Sequence, residues 1–141
     1  MLETALYVSR STLEPVVAQD VVAGIVAAAR QRNAAAGLTG GLLFTGRHFA
    51  QVLEGSPPAL DALLDRIAAD SRHAAMTLLH RRPIPQRFFS DWTMAYNGPS
   101  RRIDAQLRAL ILPGLEGIER TLAVQDLGLL MKEFALLRDA A

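Results

Sequence analysis

Tyr7, Asn33, Gln51, Arg66, Asp70, Trp92 and Met94 are the side chains here whose types and spacing can do more than pack. Gln51 alternates with Phe49 and Leu53, so strand periodicity points its amide into a core, where its donors and acceptor all need partners. Tyr7 shares an alternate-residue face with Ala5 and Ser9 and offers a phenol that can reach such an amide. Trp92, Met94 and Tyr96 are expected on one face of a later strand. Asn33 closes the apolar stripe of a helix. Arg66 and Asp70, four apart, are expected as neighbours on a second helix. Each type also has an ordinary role. Tyr, Trp and Met pack in cores, a helix-terminal Asn caps, and an Arg–Asp pair is a solvated surface contact. Taken alone, none identifies a function. Their joint placement, with amide, phenol and thioether on strands and Asn, Arg and Asp on covering helices, makes the case for a site.

The elements that must position them follow from periodicity and turn signals. Residues 2–9 read as a strand. Residues 20–33 read as a helix, with Asp20 as its cap and Val22, Ile25, Val26 and Ala29 at helical spacing. Residues 38–44 and 47–53 read as strands joined at Thr45-Gly46. Ser56 then Pro57 open a second helix, 59–69, with Leu60, Leu63, Leu64 and Ile67 as its stripe. Residues 75–80 and 91–96 read as strands, the first interrupted by Pro83 and Pro85 as suits an edge. The order predicts an α+β, ferredoxin-like βαββαββ fold: a five-stranded mixed sheet with two helices on one face. Past Asn97-Gly98-Pro99, residues 103–112 and 118–137 read as two further helices. Ile118, Leu122, Leu129, Leu130, Phe134 and Leu137 form the last helix's apolar set, expected to cover the sheet or a partner. Residues 1–97 are thus read as one domain and 98–141 as a helical extension, a cap or an oligomer contact.

Composition removes several classes. The chain has 141 residues, 15 Lys+Arg against 14 Asp+Glu, 50% hydrophobic residues and no cysteine. That is enough apolar content for a core, and no charge excess to seek nucleic acid or an anionic membrane. Without cysteine there is no disulfide scaffold, thiolate metal site or thiol catalysis. Lys132 is the only lysine, and His48, His73 and His80 show no metal-ligand spacing. No signal peptide or membrane span is legible, so the chain reads as soluble and cytoplasmic.

The segments LYVSRST (6–12), RNAAAGLTGGLLF (32–44), HFAQVLEG (48–55), DRIAADSRH (65–73) and RFFSDWTMAY (87–96) together resemble the BLUF family of flavin-binding blue-light sensors. The resemblance implies a non-enzymatic photoreceptor that holds a flavin non-covalently. FAD is the family's usual choice, with FMN or riboflavin as alternatives. By the same resemblance Tyr7 is the photoactive electron and proton donor, and Gln51 links it to the N5–O4 edge of the ring. Asn33 bonds the pyrimidine end, Arg66 and Asp70 contact the polar edge, and Ile25 and Ile67 flank the ring. Ser9 supplies a small hydroxyl, and Phe49 and Arg32 complete the cofactor-binding set. Trp92 and Met94 are the strand residues whose placement near the glutamine is implicated in signalling. Light-driven transfer from tyrosine to flavin leaves the glutamine in a new hydrogen-bonded arrangement, which is the signal. Arg32 departs from the family, standing where many members have Asn or His. It is expected either on the ribityl or phosphate part or in solvent. A short chain of this type is expected to form a homo-oligomer and to signal to a separate protein. Two other uses of the same fold compete. One is an RRM-like nucleic-acid-binding module with Tyr7 and Phe49 exposed on the sheet. The other is an acylphosphatase-like hydrolase using Arg10 and an Asn.

Overall fold

The computed structural model describes the backbone of residues 1–140 and the side chains of residues 1–137. The elements run β1 (Leu2–Ser11), α1 (Pro15–Ala35), β2 (Thr39–Phe44), β3 (His48–Gly55), α2 (Pro57–Ala68), β4 (His73–Ile84), β5 (Trp92–Asn97), α3 (Arg101–Ile111) and α4 (Gly117–Ala140). The strands form one five-stranded sheet in the order β4-β1-β3-β2-β5. Only β2 and β5 pair in parallel, so the sheet is mixed and the α+β, ferredoxin-like layout holds.

Strand alternation sends side chains to two separate cores. Leu42, Phe44, Phe49, Leu53 and Trp92 point to one face, where α1 covers them with Ala18, Val22, Val26 and Ala29, and α2 with Leu60 and Leu63. Leu6, Val8, Leu43 and Ala50 point to the other, under Leu107 and Leu110 of α3 and Leu127 and Met131 of α4. Ser56 caps α2 by accepting from Ala59 N at 3.3 Å. Ser100 does the same for α3 from Ile103 N at 3.2 Å. Asp104 of α3 is tied to the β2–β3 hairpin by His48 Nδ1 at 2.6 Å and Thr45 Oγ1 at 2.8 Å.

Several expectations change. α1 starts at Pro15, whose fixed φ suits the first helical position, so Asp20 lies inside the helix rather than capping it. β4 is longer than residues 75–80 because it is an edge strand, and an edge tolerates the missing N–H of Pro83. Tyr96 does not share a face with Trp92 and Met94. Leu42 pairs with Met94 but Leu43 pairs with Tyr96, so Ala95 is an extra residue. This β-bulge turns Tyr96 into the second core, stacked on Phe134 at 5.4 Å. The packed face of α4 is also out of phase with the sequence reading. Leu127, Met131 and Ala135 are buried, while Ile118, Leu122, Leu129 and Leu137 are exposed. A helix with leucines on every side carries little phase information.

Candidate functional site

The middle of the sheet and the two helices above it leave a pocket that opens to solvent. Its floor is Tyr7 of β1, Leu42 of β2, Phe49 and Gln51 of β3 and Trp92 of β5; Ile25, Ala29, Arg32 and Asn33 of α1 and Leu63 and Ile67 of α2 form its walls. Asp70, Arg72 and His73, between α2 and the start of β4, close one end.

The polar floor is built by register. Tyr7 pairs directly with Gln51 across β1 and β3. Gln51 Nε2 donates to the Tyr7 hydroxyl at 2.7 Å, and Trp92 Nε1 donates to Gln51 Oε1 at 2.9 Å. An indole N–H can only donate, so it fixes the amide oxygen toward Trp92 and the amide nitrogen toward Tyr7. The phenol is therefore an acceptor here, and its own proton is committed to no described residue. Burial pushes the Tyr7 phenol well above its ordinary range; the Gln51 bond opposes this and the negative charge of Asp70, a smaller influence, adds to it. Tyr7 is thus a neutral phenol that keeps its proton.

Asn33 lies inside α1 rather than capping it; the C-cap is Ala36. Its amide is 2% exposed, faces the pocket and has no hydrogen-bond partner among the described residues. A buried amide without a protein partner is a place for a ligand's donor and acceptor.

The rim is ordered by a second set of bonds. Arg72 grips both carboxylate oxygens of Asp70, from Nε at 2.9 Å and Nη2 at 2.5 Å. Those hydrogen bonds hold the Asp70 carboxyl down at about 2. The expected Arg66–Asp70 pair is not formed. α2 ends at Ala68, so the four-residue helical spacing fails, and Arg66 stays exposed outside the pocket. His73 Nε2 meets the Ile67 carbonyl at 2.5 Å, and Nδ1 meets Ser9 Oγ at 2.7 Å. A carbonyl only accepts, so the neutral ring carries its proton on Nε2 and accepts from Ser9 at Nδ1. The ring stands edge-on to Tyr7 and Phe49.

Of the residues singled out in the sequence, Tyr7, Ile25, Arg32, Asn33, Phe49, Gln51, Ile67, Asp70 and Trp92 line this one pocket. Ser9 is buried behind it and acts on it through His73. Met94 is half-buried against the first core and does not line the pocket. Arg72 and His73 do line it without having been singled out, although both stand in the D-x-R-H run that supplied Asp70. Apolar walls with an amide, a phenol and a second amide on one side fit a flat, mostly apolar ring with a hydrogen-bonding edge, which is the shape of a flavin.

The competing uses of the fold lose their sites. Tyr7 and Phe49 are buried, and helices cover both sheet faces, so no aromatic platform among the described residues faces solvent. Arg10 lines a different groove, with His48 and Arg108, away from Asn33.

Comparison with known proteins agrees. A family described as sensors of blue light using FAD matches residues 2–95. The beta subunit of the photoactivated adenylate cyclase of Euglena gracilis is 38% identical over 94 residues, 66% of this chain and 11% of that protein. The alpha subunit is 33% identical over 93 residues, 66% of this chain and 9% of that protein. This chain therefore spans about a tenth of the length of these curated relatives. Among solved structures, BlrB, described as a BLUF protein in its dark state, is 36% identical with a TM-score of 0.63, covering 88% of this chain and 96% of that one. BlrP1 of Klebsiella pneumoniae, solved with FMN and cyclic diGMP, is 35% identical with a TM-score of 0.59, covering 67% of this chain and 25% of that one. BlsA in its photo-activated state shares the fold over 96% of this chain and 95% of that one, at a TM-score of 0.72 and 23% identity. This chain belongs to the BLUF family of flavin-using blue-light sensors.

Proposed function

We propose that this chain is a blue-light photoreceptor that binds flavin non-covalently and signals by rearranging the Tyr7–Gln51–Trp92 hydrogen bonds. The observation that carries the reading is the pair of bonds at 2.7 Å and 2.9 Å, which place one amide between a phenol and an indole at the pocket floor. Asn33, Gln51 and the Asp70–Arg72 rim would hold the polar edge of the ring, with Ile25 and Ile67 against its faces. Arg32, exposed where it lines the pocket, would hold the ribityl or phosphate part. A bound flavin supplies, on absorbing blue light, an oxidant able to draw an electron from a neutral phenol.

Tyr7 meets that need, because burial keeps it protonated and it has both an electron and a proton to give. Gln51 has two ways to sit between its neighbours. With its oxygen toward Trp92, both bonds are made. With the amide reversed, an NH2 group faces the indole N–H, two donors oppose each other and the Trp92 bond is lost. The two arrangements make a bistable element, and Trp92 reads it.

β5 carries that reading outward. Trp92 starts the strand on one core, and Tyr96 near its end stacks on Phe134 of α4 in the other. We assign residues 1–97 to sensing and 98–141 to output. The exposed Ile118, Leu122, Leu129 and Leu137 of α4 are the face for a second copy or a downstream protein. FAD is favoured by the family's description, and FMN by its presence in BlrP1.

The test is an absorbance spectrum of purified protein before and after blue light. The expected result is a flavin spectrum that shifts slightly to the red and recovers in darkness. A colourless protein that takes up no added flavin refutes the reading.

A further inference from the structure

Further along β3 from Gln51 lies a carboxylate that the photochemical reading leaves unused. Glu54 is 3% exposed, and no ion pair to it is formed among the described residues. A buried carboxylate in that position persists only if hydrogen bonds surround it. Phe88 N donates to Oε2 at 2.8 Å, Phe89 N to Oε1 at 3.0 Å and Thr39 Oγ1 to Oε1 at 2.8 Å. Arg87 Nη1 adds a bond to the Glu54 backbone carbonyl at 3.0 Å and one to Thr39 Oγ1 at 2.9 Å. Apart from the Thr39 bond to the carboxylate, which comes from β2, these bonds fall on residues 85–91, which join β4 to β5 without belonging to either strand. At the end of that stretch Gly40 N donates to Asp91 O at 3.0 Å, and the next residue is Trp92.

We propose that Glu54 is a positioning residue for the switch. By gripping the amides of Phe88 and Phe89 it fixes where β5 begins, and so holds the Trp92 indole on Gln51. Both ends of the arrangement rest on β3: the carboxylate grips the approach to β5 from one sheet face, and Gln51 receives the indole on the other. The inference rests on reading the Gln51–Trp92 bond as part of the switch. Two carboxylate oxygens are what three donors require. A glutamine at this position would turn an NH2 group against a backbone N–H, and a shorter side chain would not reach.

The chain has one tryptophan. In flavin-loaded protein kept dark, its indole N–H gives one resonance in a proton–nitrogen NMR spectrum, and that resonance reports this bond alone. Glu54→Gln is expected to move it upfield and to speed its exchange with solvent about tenfold or more. Recovery in darkness after illumination is expected to change by about threefold or more. Thr39→Val removes one donor while keeping the carboxylate, and is expected to move the same signals less in the same direction. An unchanged indole resonance and exchange rate in folded Glu54→Gln overturns the proposal. If that variant does not fold, an unchanged indole in Thr39→Val does so instead. The indole measurement needs no photoreaction. A wild-type protein without a light-induced shift therefore refutes the photoreceptor reading and leaves the positioning test standing.

Discussion

Tyr7 and Gln51 are separable in what they contribute, and single substitutions divide them. Tyr7→Phe removes the hydroxyl but keeps the ring that packs beside His73. It is expected to keep flavin bound and to abolish the reversible red shift, as read by absorbance under blue light. Gln51→Leu leaves no amide to rearrange and is expected to do the same. Trp92→Phe is different, because it deletes the donor to Gln51 Oε1 while keeping an aromatic, though smaller, ring in the core. The shift is expected to remain, while dark recovery changes by about tenfold, the equivalent of one hydrogen bond of ordinary strength. The placement of these residues was legible because strand alternation exposes a polar residue set among apolar ones, as Gln51 is between Phe49 and Leu53. Arg72 and His73 were not, because Arg72 follows a helix end and His73 opens a strand that bulges at once, where neither the helical nor the strand period is established. The Arg66–Asp70 reading failed for the same reason: it extended a helical spacing past Ala68.

Two backbone positions govern how the elements meet. Gly40 has φ +142°, and a Cβ there would lie 1.9 Å from the Val52 carbonyl oxygen. Gly40→Ala would force β2 away from β3 beneath the pocket. The expected loss is about 3 kcal/mol or more in chemical unfolding, with flavin affinity falling alongside. Ala75 is the opposite case, a residue with a Cβ held at φ +55° in the β4 bulge. Ala75→Gly relieves that strain at the cost of a looser unfolded chain, so a gain of about 0.5 kcal/mol is expected. Element order and type could be read from the sequence, since each turn carries its own chemistry at Thr45-Gly46, Ser56-Pro57 and Asn97-Gly98-Pro99. The phase of α4 could not. Leucines ring that helix, and only contact with Leu6, Val8 and Leu43 selects the buried side.

Over the whole molecule, the sheet is sealed on both faces, and each seal has its own vulnerability. Leu107, Leu110, Leu127 and Met131 are almost wholly buried on the α3–α4 side. Each such side chain contributes about 1.5–3 kcal/mol. Together they rival the net stability of a domain. A chain ended after Asn97 would expose Leu6, Val8 and Leu43, and is expected to associate or precipitate, as light scattering would show. On the same side His80 is half-buried, its Nδ1 has no partner among the described residues, and burial, with Arg82 and Lys132 nearby, lowers its pKa from 6.5. The folded state therefore favours the neutral ring. The stability this represents is fully present above the unfolded value and is lost as pH falls below it through the folded value. Thermal unfolding from pH 8 down to pH 5 is expected to show a decline that His80→Leu flattens. Among the described residues, no helix is long and apolar enough to cross a membrane.

The extra residue in β5 has a consequence of parity. Side chains along a strand alternate like the colours of a chessboard row, and Ala95 shifts the count by one between Met94 and Tyr96. One short strand thereby has a foot in each of two chambers that otherwise share only a wall. Tyr96→Ala would take that foot out of the second chamber and leave Phe134 without its ring. The expected product still binds flavin and still shifts under blue light. Its α4, however, would give the same amide-exchange pattern in light and dark: an eye with the nerve cut.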